Sequence, residues 1–337
     1  GATLINYFGV EDLIKEKGMI SGIIARDYIK NKSYKIMSKG VINATGVFSD
    51  SITNLDIKKR NKTIVPSQGV HIVLDKSFLA GNHAIMVPHT TDGRVLFAVP
   101  WNNYVIIGTT DTQIKMIDVE PKPLKEEVEF ILKNAGTYMK SAPTFSDIKS
   151  IFAGLRPLAA PEKNEKATRE ISRHHKVTVS TSGLISILGG KWTTYRKMAE
   201  DTVNTARSVA GLQDRECITH NLTIHGYDYS SNWKNPIHFY GTDIEKIENL
   251  DSNGNSSISE KFFISKNQII WSIRNEMAMN LEDVMARRTR SLFLDAHESL
   301  RIAPKVIEIM ANEMKKNTNW IKNEIANFEK VAKNYLI

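Results

Sequence analysis

Alternating hydrophobic and polar residues over the first 50 positions indicate short β-strands. Apolar positions in Ile20–Ala25 and Tyr34–Met37 flank Asn31-Lys32-Ser33, whose residue types favour a turn. These segments therefore predict a β-hairpin. A third apolar stretch, Val41-Ile42, runs directly into Asn43-Ala44-Thr45-Gly46, and the whole region begins abruptly, as in the middle of a domain.

Residues 64 to 118 show the pattern of an antiparallel β-meander. The strand-like runs are residues 70–74, 84–87, 95–100 and 104–107. Asp92-Gly93 tolerates the positive φ that a tight hairpin turn requires, and Asn102-Asn103 predicts a second turn. Lys122–Tyr138 follows as a covering helix, with Pro123 near its start. The predicted apolar face of this helix comprises Leu124, Val128, Ile131 and Leu132.

The stretch 176–211 predicts a strand–turn–helix unit. Strand-like Val177–Ser180 and Leu184–Leu188 precede a turn at Gly189-Gly190-Lys191, and the following helix ends at Gly211. The residues predicted to face inward from this helix are Tyr195, Met198, Ala199, Val203 and Ala206.

The remainder of the chain is predicted to be helical after a polar stretch at residues 251–257. The residues on the inner face of the final helix recur in steps of four and three: Ile321, Ile325, Phe328, Ala332 and Tyr335. The best domain boundary on pattern alone lies near 212–222.

The composition is that of an ordinary globular protein with a positive net charge. The 337 residues are 41% apolar and 24% charged, which suits two or three domains and excludes a disordered or fibrous chain. No apolar run of about 18 residues predicts a spanning helix, and no signal peptide is visible. The only cysteine is Cys217, which excludes an intrachain disulfide or a cysteine-cluster metal site and favours a reducing, cytoplasmic setting. The net charge of +8 fits either an anionic partner or a solubilising lysine surface, and the scattered lysines argue against a nucleic-acid arm.

Two segments have the chemistry of anion binding. The glycines of Gly189-Gly190-Lys191 allow close approach of a ligand, the next helix start offers N–H groups, and Lys191 adds a positive charge. Arg156 lies in Gly154-Leu155-Arg156-Pro157, a stiff turn from which a guanidinium can fork onto a phosphate or carboxylate. A simple strand-to-helix turn and a surface arginine paired with an acid are the plain alternatives.

Two further features favour a structural interpretation. His71 lies within a predicted strand, where a histidine is usually a hydrogen-bonded structural residue and otherwise a proton acceptor. Arg287-Arg288-Thr289-Arg290 resembles a basic recognition helix, but Asp283 four residues before Arg287 predicts an internal ion pair. No G-x-G-x-x-G motif opens a βαβ unit, and no P-loop is present.

Five motifs in order carry a resemblance to a known family. They are Val41-Ile42-Asn43-Ala44-Thr45-Gly46, Ile107-Gly108-Thr109-Thr110-Asp111, Gly154-Leu155-Arg156-Pro157-Leu158, Gly189-Gly190-Lys191-Trp192-Thr193-Thr194-Tyr195-Arg196 and Asp283-Val284-Met285-Ala286-Arg287-Arg288-Thr289. Over about residues 1–330 the chain resembles the FAD-dependent, aerobic respiratory glycerol-3-phosphate dehydrogenases. The resemblance implies an α/β plus α+β fold: a partial glycine-oxidase-like FAD-binding domain (1–50 and 151–212), an inserted antiparallel substrate-binding domain (51–150) and an all-helical carboxy-terminal domain (213–337).

The resemblance also implies roles for individual residues. Arg156 and Arg169 match arginines that hold the substrate phosphate, Lys191 matches a lysine near the substrate hydroxyl and flavin, and His71 matches a candidate base. The residues implied to touch FAD are Ala44, Thr45, Gly46, Gly154, Gly190, Lys191, Trp192 and Thr193. The implied reaction oxidises sn-glycerol 3-phosphate to dihydroxyacetone phosphate and passes electrons to quinone at a membrane surface; no metal is implied.

Departures from the family pattern limit these expectations. The family's amino-terminal dinucleotide fingerprint is missing, so we expect this chain to bind FAD weakly or not at all. Gln68 stands where relatives often carry lysine. A glycerol-3-phosphate oxidase that uses oxygen, a basic adaptor or nucleic-acid-binding module, attachment to anionic lipid and a homodimer stay open as alternatives.

Overall fold

The computed structural model describes residues 2–57, 62–160 and 174–337. The chain divides into two compact units. Unit 1 comprises Gly1–Gly69, Asp111–Pro121 and Gly154–Leu222, and unit 2 comprises Val70–Thr110, Lys122–Ala153 and Thr223–Ile337. Residues 223–337 thus share a unit with most of the meander. The three-part division predicted from the sequence stays a proposal about domains.

The first sheet of unit 1 is a three-stranded antiparallel sheet in the order β1-β2-β3. Its strands are β1 (Phe8–Glu16), β2 (Met19–Asp27) and β3 (Lys32–Met37). The predicted hairpin is confirmed, and Asn31 adopts the positive φ (52°) that asparagine tolerates better than most residues.

The second sheet of unit 1 carries the strand–turn–helix segment. Its order is β11-β12-β4, with β12 antiparallel to β11 and parallel to β4. The elements are β4 (Val41–Asn43), α1 (Ser49–Asp56), β11 (His175–Val179), β12 (Leu184–Gly189) and α3 (Tyr195–Val209). Leu184 packs with Leu13 and Ile20 in a small apolar core between the sheets.

One prediction for α3 is wrong. The apolar face of this helix was expected to point inward, but Tyr195 is 49% exposed and Val203 58% exposed, while only Thr202 of the helix is buried. The period of the apolar residues is helical as predicted, but this face borders an open cavity instead of a packed core.

The meander forms the sheet of unit 2, in the order β10-β5-β8-β7-β6. Its strands are β5 (Ile64–Asp75), β6 (Ile85–Val87), β7 (Leu96–Trp101), β8 (Tyr104–Gly108) and β10 (Ser150–Ala159), and the helix is α2 (Lys125–Gly136). The first half of β5 and the second half of β10 belong to unit 1, where the short β9 (Thr112–Gln113) pairs with β5. Val128, Ile131 and Leu132 of α2 are buried against the strands as predicted. Leu124 is instead the residue before the helix and is 44% exposed.

From residue 266 to the end, unit 2 is helical as predicted, whereas residues 223–237 and 249–265 contain no helix. It contains α4 (Ile244–Glu248), α5 (Lys266–Asn275), a π-helix (Asp283–Arg288), α6 (Ser291–Leu294), α7 (Ala296–Met314) and α8 (Thr318–Ala332). Phe328 and Ala332 of the last helix are buried, together with Tyr335 just beyond it. Among the described helices, none combines the length and the apolar character needed to cross a bilayer.

Candidate functional site

A cavity of about 410 Å³ lies in unit 1 between the β4–β12 sheet and helix α3. Its walls are mostly apolar, which suits a flat aromatic ligand. The residues that line it are Ile42, Ala44, Gly46, Pro157, Ile187, Gly189, Tyr195, Met198, Ala199, Thr202 and Val203. Three of the sequence motifs therefore meet at one cavity: the turn after β4, the end of β10 and the turn after β12.

The glycine turn after β12 is shaped by positive φ angles. Gly189 has φ 68° and Gly190 has φ 86°. A Cβ on Gly189 would lie 2.8 Å from the carbonyl oxygen of His174, so no larger residue fits there without moving backbone. The two glycines reverse the chain from the sheet into α3, beside the cavity.

Lys191 follows this turn in an extended conformation (φ −137°, ψ 153°). The segment Trp192–Thr194 is a 3-10 turn, and the α-helix begins only at Tyr195, later than the sequence suggested. The Lys191 side chain is exposed and forms no ion pair with another described residue. The indole of Trp192 is 86% exposed and stacks on Tyr195, with ring centroids 5.5 Å apart.

The Ala44-Thr45-Gly46 turn is held by Asn43, a residue to which sequence reasoning gave no role. Asn43 is 1% exposed. Its amide nitrogen donates to the Ser49 carbonyl (2.9 Å) and to the Ser186 hydroxyl (3.4 Å). Its amide oxygen accepts from the Thr45 hydroxyl (2.7 Å) and the Thr45 N–H (3.3 Å). The side chain thus ties β4 to β12, to the start of α1 and to its own turn.

Arg156 lies within strand β10, in the part that belongs to unit 1, and the predicted stiff turn at this position is wrong. Beside Arg156 are two residues that sequence reasoning missed. Its Nη1 is 3.8 Å from the Asp111 carboxylate and 3.5 Å from the Ser67 hydroxyl. The Ser67 hydroxyl donates to the same Asp111 oxygen. Asp111 is part of one of the five motifs, but sequence reasoning assigned it no role. Its place in that motif is the one feature of the sequence that could have marked it as functional.

His71 lies in unit 2, on the part of β5 that pairs with β8. It is directly opposite Gly108, and a Cβ on Gly108 would overlap the imidazole ring. The imidazole also stacks on Phe152, with centroids 5.3 Å apart and planes 15° apart. This packing fixes the plane of the imidazole, whichever role the residue has.

The other candidate residues are placed as follows. Gly154 begins the unit 1 part of β10, with open space where a Cβ would stand. Arg169 lies outside the described residues. Arg287 forms the predicted ion pair with Asp283 (3.2 Å), and the backbone there is a π-helix. No cluster of potential metal ligands occurs in the part of the chain that the structure describes.

The arrangement fits part of a flavin site. The cavity is bordered by Ala44, Gly46 and Gly189, where the small residues leave room for a planar ring near the backbone. Tyr195 adds an aromatic wall. Of the residues that the sequence indicated for FAD, Ala44 and Gly46 line the cavity, and the other assignments stay predictions.

Comparison with known proteins gives the same answer from independent evidence. The model of the FAD dependent oxidoreductase family matches residues 1–196, and that of the C-terminal domain of alpha-glycerophosphate oxidase matches residues 185–320. The mitochondrial glycerol-3-phosphate dehydrogenase of Mesocricetus auratus is 34% identical over 93% of this chain and 47% of its own length. The mitochondrial glycerol-3-phosphate dehydrogenase of Schizosaccharomyces pombe is 32% identical over 93% of this chain and 58% of its own length.

A solved structure agrees in fold. The glycerol-3-phosphate dehydrogenase from Bacillus halodurans, complexed with FAD, superposes with a TM-score of 0.83 at 26% identity, covering 98% of this chain and 69% of that one. The chain thus spans about half the length of the two curated relatives above. The predicted fold class, a glycine-oxidase-like FAD-binding fold with a helical carboxy-terminal part, is confirmed. The chain belongs to the FAD-dependent glycerol-3-phosphate dehydrogenase family.

Proposed function

We propose that the complete protein oxidises sn-glycerol 3-phosphate to dihydroxyacetone phosphate and delivers the electrons to quinone. The observation that carries the proposal is the cavity of unit 1, at which the turn after β4, the end of β10 and the glycine turn meet. The names of the relatives in the comparisons point to the same substrate.

FAD, when bound, supplies the acceptor for the hydride that leaves C2 of the substrate. In this chain the residues that would hold it are Ala44, Thr45, Gly46, Gly154, Gly190, Trp192 and Thr193, together with Tyr195. The exposed ammonium of Lys191 directly follows the glycine turn, where a positive charge favours electron density arriving at a nearby ligand. Lys191 is therefore assigned to the substrate hydroxyl and the flavin.

Arg156 is assigned to the substrate phosphate. Its guanidinium is permanently charged and its planar donors match phosphate oxygens in pairs. Arg156 is adjacent in sequence to Pro157, a cavity residue, but consecutive side chains of a strand point to opposite faces, so the assignment to the phosphate rests on the family resemblance and the chemistry of the guanidinium. Arg169 is assigned the same task on the family resemblance alone.

Oxidation of the alcohol also releases the hydroxyl proton, and His71 is the proposed acceptor. A neutral imidazole accepts a proton near neutral pH. Packing between Gly108 and Phe152 restricts ring rotation, which would keep the accepting nitrogen in one direction. The assignment to a proton at C2 rests on the resemblance, since His71 lies in unit 2.

The acceptor, the location and the assembly belong to the proposal as well. Quinone as acceptor implies attachment to a membrane surface, to which a net charge of +8 is suited. The two relatives named above are mitochondrial proteins. A single cysteine indicates a reducing setting but does not distinguish the cytoplasm from other reducing compartments, so cytoplasmic location stays a prediction, as does a homodimer. The nucleic-acid alternative loses its main support because Arg287 pairs with Asp283 and Glu282.

The test uses the complete gene product loaded with FAD. Under anaerobic conditions sn-glycerol 3-phosphate should bleach the visible absorption band of the oxidised flavin, whereas glycerol should not. Subsequent addition of a soluble quinone should restore the band faster than air does. Faster recovery in air would favour the oxidase alternative, and no bleaching by the phosphoester would reject the proposed substrate.

The present chain can be tested on its own for cofactor binding. We expect weak or no FAD binding by residues 1–337 because the sequence has no dinucleotide fingerprint. Flavin that co-purifies with this chain at close to one equivalent would contradict that expectation.

A further inference from the structure

Asp111, Ser67 and Arg156 form a connected polar group within unit 1. Ser67 is fully buried, and the Asp111 and Arg156 side chains are 13% and 28% exposed. Ser67 donates its only hydroxyl proton to Asp111 Oδ1, so its oxygen lone pairs face the guanidinium, which donates to it at 3.5 Å. Asp111 therefore acts on Arg156 twice: directly across 3.8 Å and through the orientation of the serine hydroxyl.

We propose that Asp111 is a positioning residue that holds the Arg156 guanidinium ready for the substrate phosphate. The inference rests on the proposed function, in which Arg156 binds that phosphate. An arginine side chain has several rotatable bonds, and fixing it before binding removes an entropic cost from the binding step. Both contacts are longer than the roughly 2.9 Å of a strong hydrogen bond, so they direct the guanidinium without a bidentate grip.

The same carboxylate also has an opposing effect. A negative charge 3.8 Å from the guanidinium offsets part of the attraction between Arg156 and an anionic substrate. If charge compensation were the main role of Asp111, its neutralisation would tighten phosphate binding, and more so at low salt. If positioning is the main role, its neutralisation weakens binding. The sign of the change therefore separates the two roles.

The closing experiment compares three variants of the FAD-loaded complete protein. Asp111→Asn removes the charge with little change in shape, and Ser67→Ala removes the bridging hydroxyl but keeps both charges. Glu11→Gln is the matched control, because Glu11 pairs with Arg26 at 3.3 Å on an exposed sheet of the same unit. The measurements are KM and kcat for sn-glycerol 3-phosphate, and inhibition by inorganic phosphate as a probe of the anion site.

We expect Asp111→Asn to raise KM and the phosphate inhibition constant about tenfold, which is about 1.4 kcal/mol of binding. The change in kcat should stay within about threefold, since Asp111 does not touch the reacting atoms. Ser67→Ala should give a smaller shift in the same direction, and Glu11→Gln none. In an Arg156→Ala background, Asp111→Asn should add nothing further, because the interaction it served is gone.

Three results would overturn the inference. The first is tighter phosphate binding in Asp111→Asn, and the second is an unchanged KM in both Asp111→Asn and Ser67→Ala. The third is an equal loss in the Arg156→Ala background, which would show a general structural effect. Should Asp111→Asn fail to fold, Ser67→Ala decides alone. A wild-type protein that does not oxidise the phosphoester at all overturns the proposed function, and the positioning role with it.

Discussion

The side chain of Asn43 offers the sharpest test of how the turn beside the cavity is held. The perturbation is Asn43→Ala, which removes all four of its hydrogen bonds: two short ones of 2.7 and 2.9 Å and two long ones of 3.3 and 3.4 Å. These bonds join β4, the turn after it, β12 and the first residue of α1. The substitution therefore loosens this region without touching an apolar core side chain.

The expected cost is about 2–3 kcal/mol. The two short bonds contribute about 1 kcal/mol each, and the two long ones together contribute less than that. The buried Ser186 hydroxyl loses only a long bond of 3.4 Å, and the full penalty for an unsatisfied buried group does not apply to the other partners. The Ser49 carbonyl keeps a bond from the Thr53 hydroxyl (2.9 Å), and Thr45 is exposed to water. Loss of the amide also leaves a small void, and the cost of this void is included in the range of about 2–3 kcal/mol.

The assay is hydrogen–deuterium exchange of peptides that span residues 41–49. A loss of 2 kcal/mol in local stability corresponds to exchange about 30-fold faster where exchange follows opening of this segment. Asn204→Ala is the matched control, because Asn204 is exposed on α3 of the same unit. Exchange that is unchanged in Asn43→Ala, or raised equally in the control, would refute the reasoning from hydrogen bonds.

Three further variants test other parts of the structure. Gly190→Ala should lower the free energy of unfolding, measured in urea, by about 1–2 kcal/mol, mainly because alanine is strained at φ 86°. The end of the Met198 side chain that a Cβ would overlap is flexible and can move aside, so this overlap adds little. An unchanged free energy of unfolding would contradict this. Gly108→Ala should displace the His71 ring and shift its imidazole NMR signals, and unchanged signals would mean that the ring has room. Burial, together with the neighbouring carboxylates, raises the pKa of Glu324 above its ordinary value of 4.5. The protonated form of Glu324 therefore stabilises the fold at low pH, and this stabilisation is lost as the pH rises through the raised pKa. Glu324→Gln should therefore have a higher Tm than wild type at pH 7 but not at pH 4, and an unchanged Tm at both would reject the assignment.

The strands were predictable because local chemistry determines them. Asp92-Gly93 and Asn102-Asn103 specify turns through their tolerance of positive φ, and Asn102 adopts φ 55° in the structure. The alternation between these turns then leaves little freedom for the strands. The final helix was predictable for a similar reason. The apolar residues spaced by four and three that predicted it include Phe328, Ala332 and Tyr335, which are buried in the structure.

The environment of an apolar face was not predictable. The spacing of Tyr195, Met198 and Val203 shows that α3 has an apolar side, and the helix exists as predicted. Periodicity does not say what covers that side. In this chain it borders the cavity, and the exposed Val203 is a cavity wall instead of a core residue.

The polar group around Arg156 depends on strand register, which the sequence does not reveal at single-residue precision. On β5, His71 lies opposite Gly108. If this antiparallel pairing continued without irregularity, Ser67 would lie opposite Thr112. Ser67 lies opposite Gln113 instead, so one extra residue is accommodated in the segment between β8 and β9. Asp111 lies in this irregular segment, directly before β9, and its carboxylate accepts from the Ser67 hydroxyl there, a contact that the hydrophobic pattern does not signal.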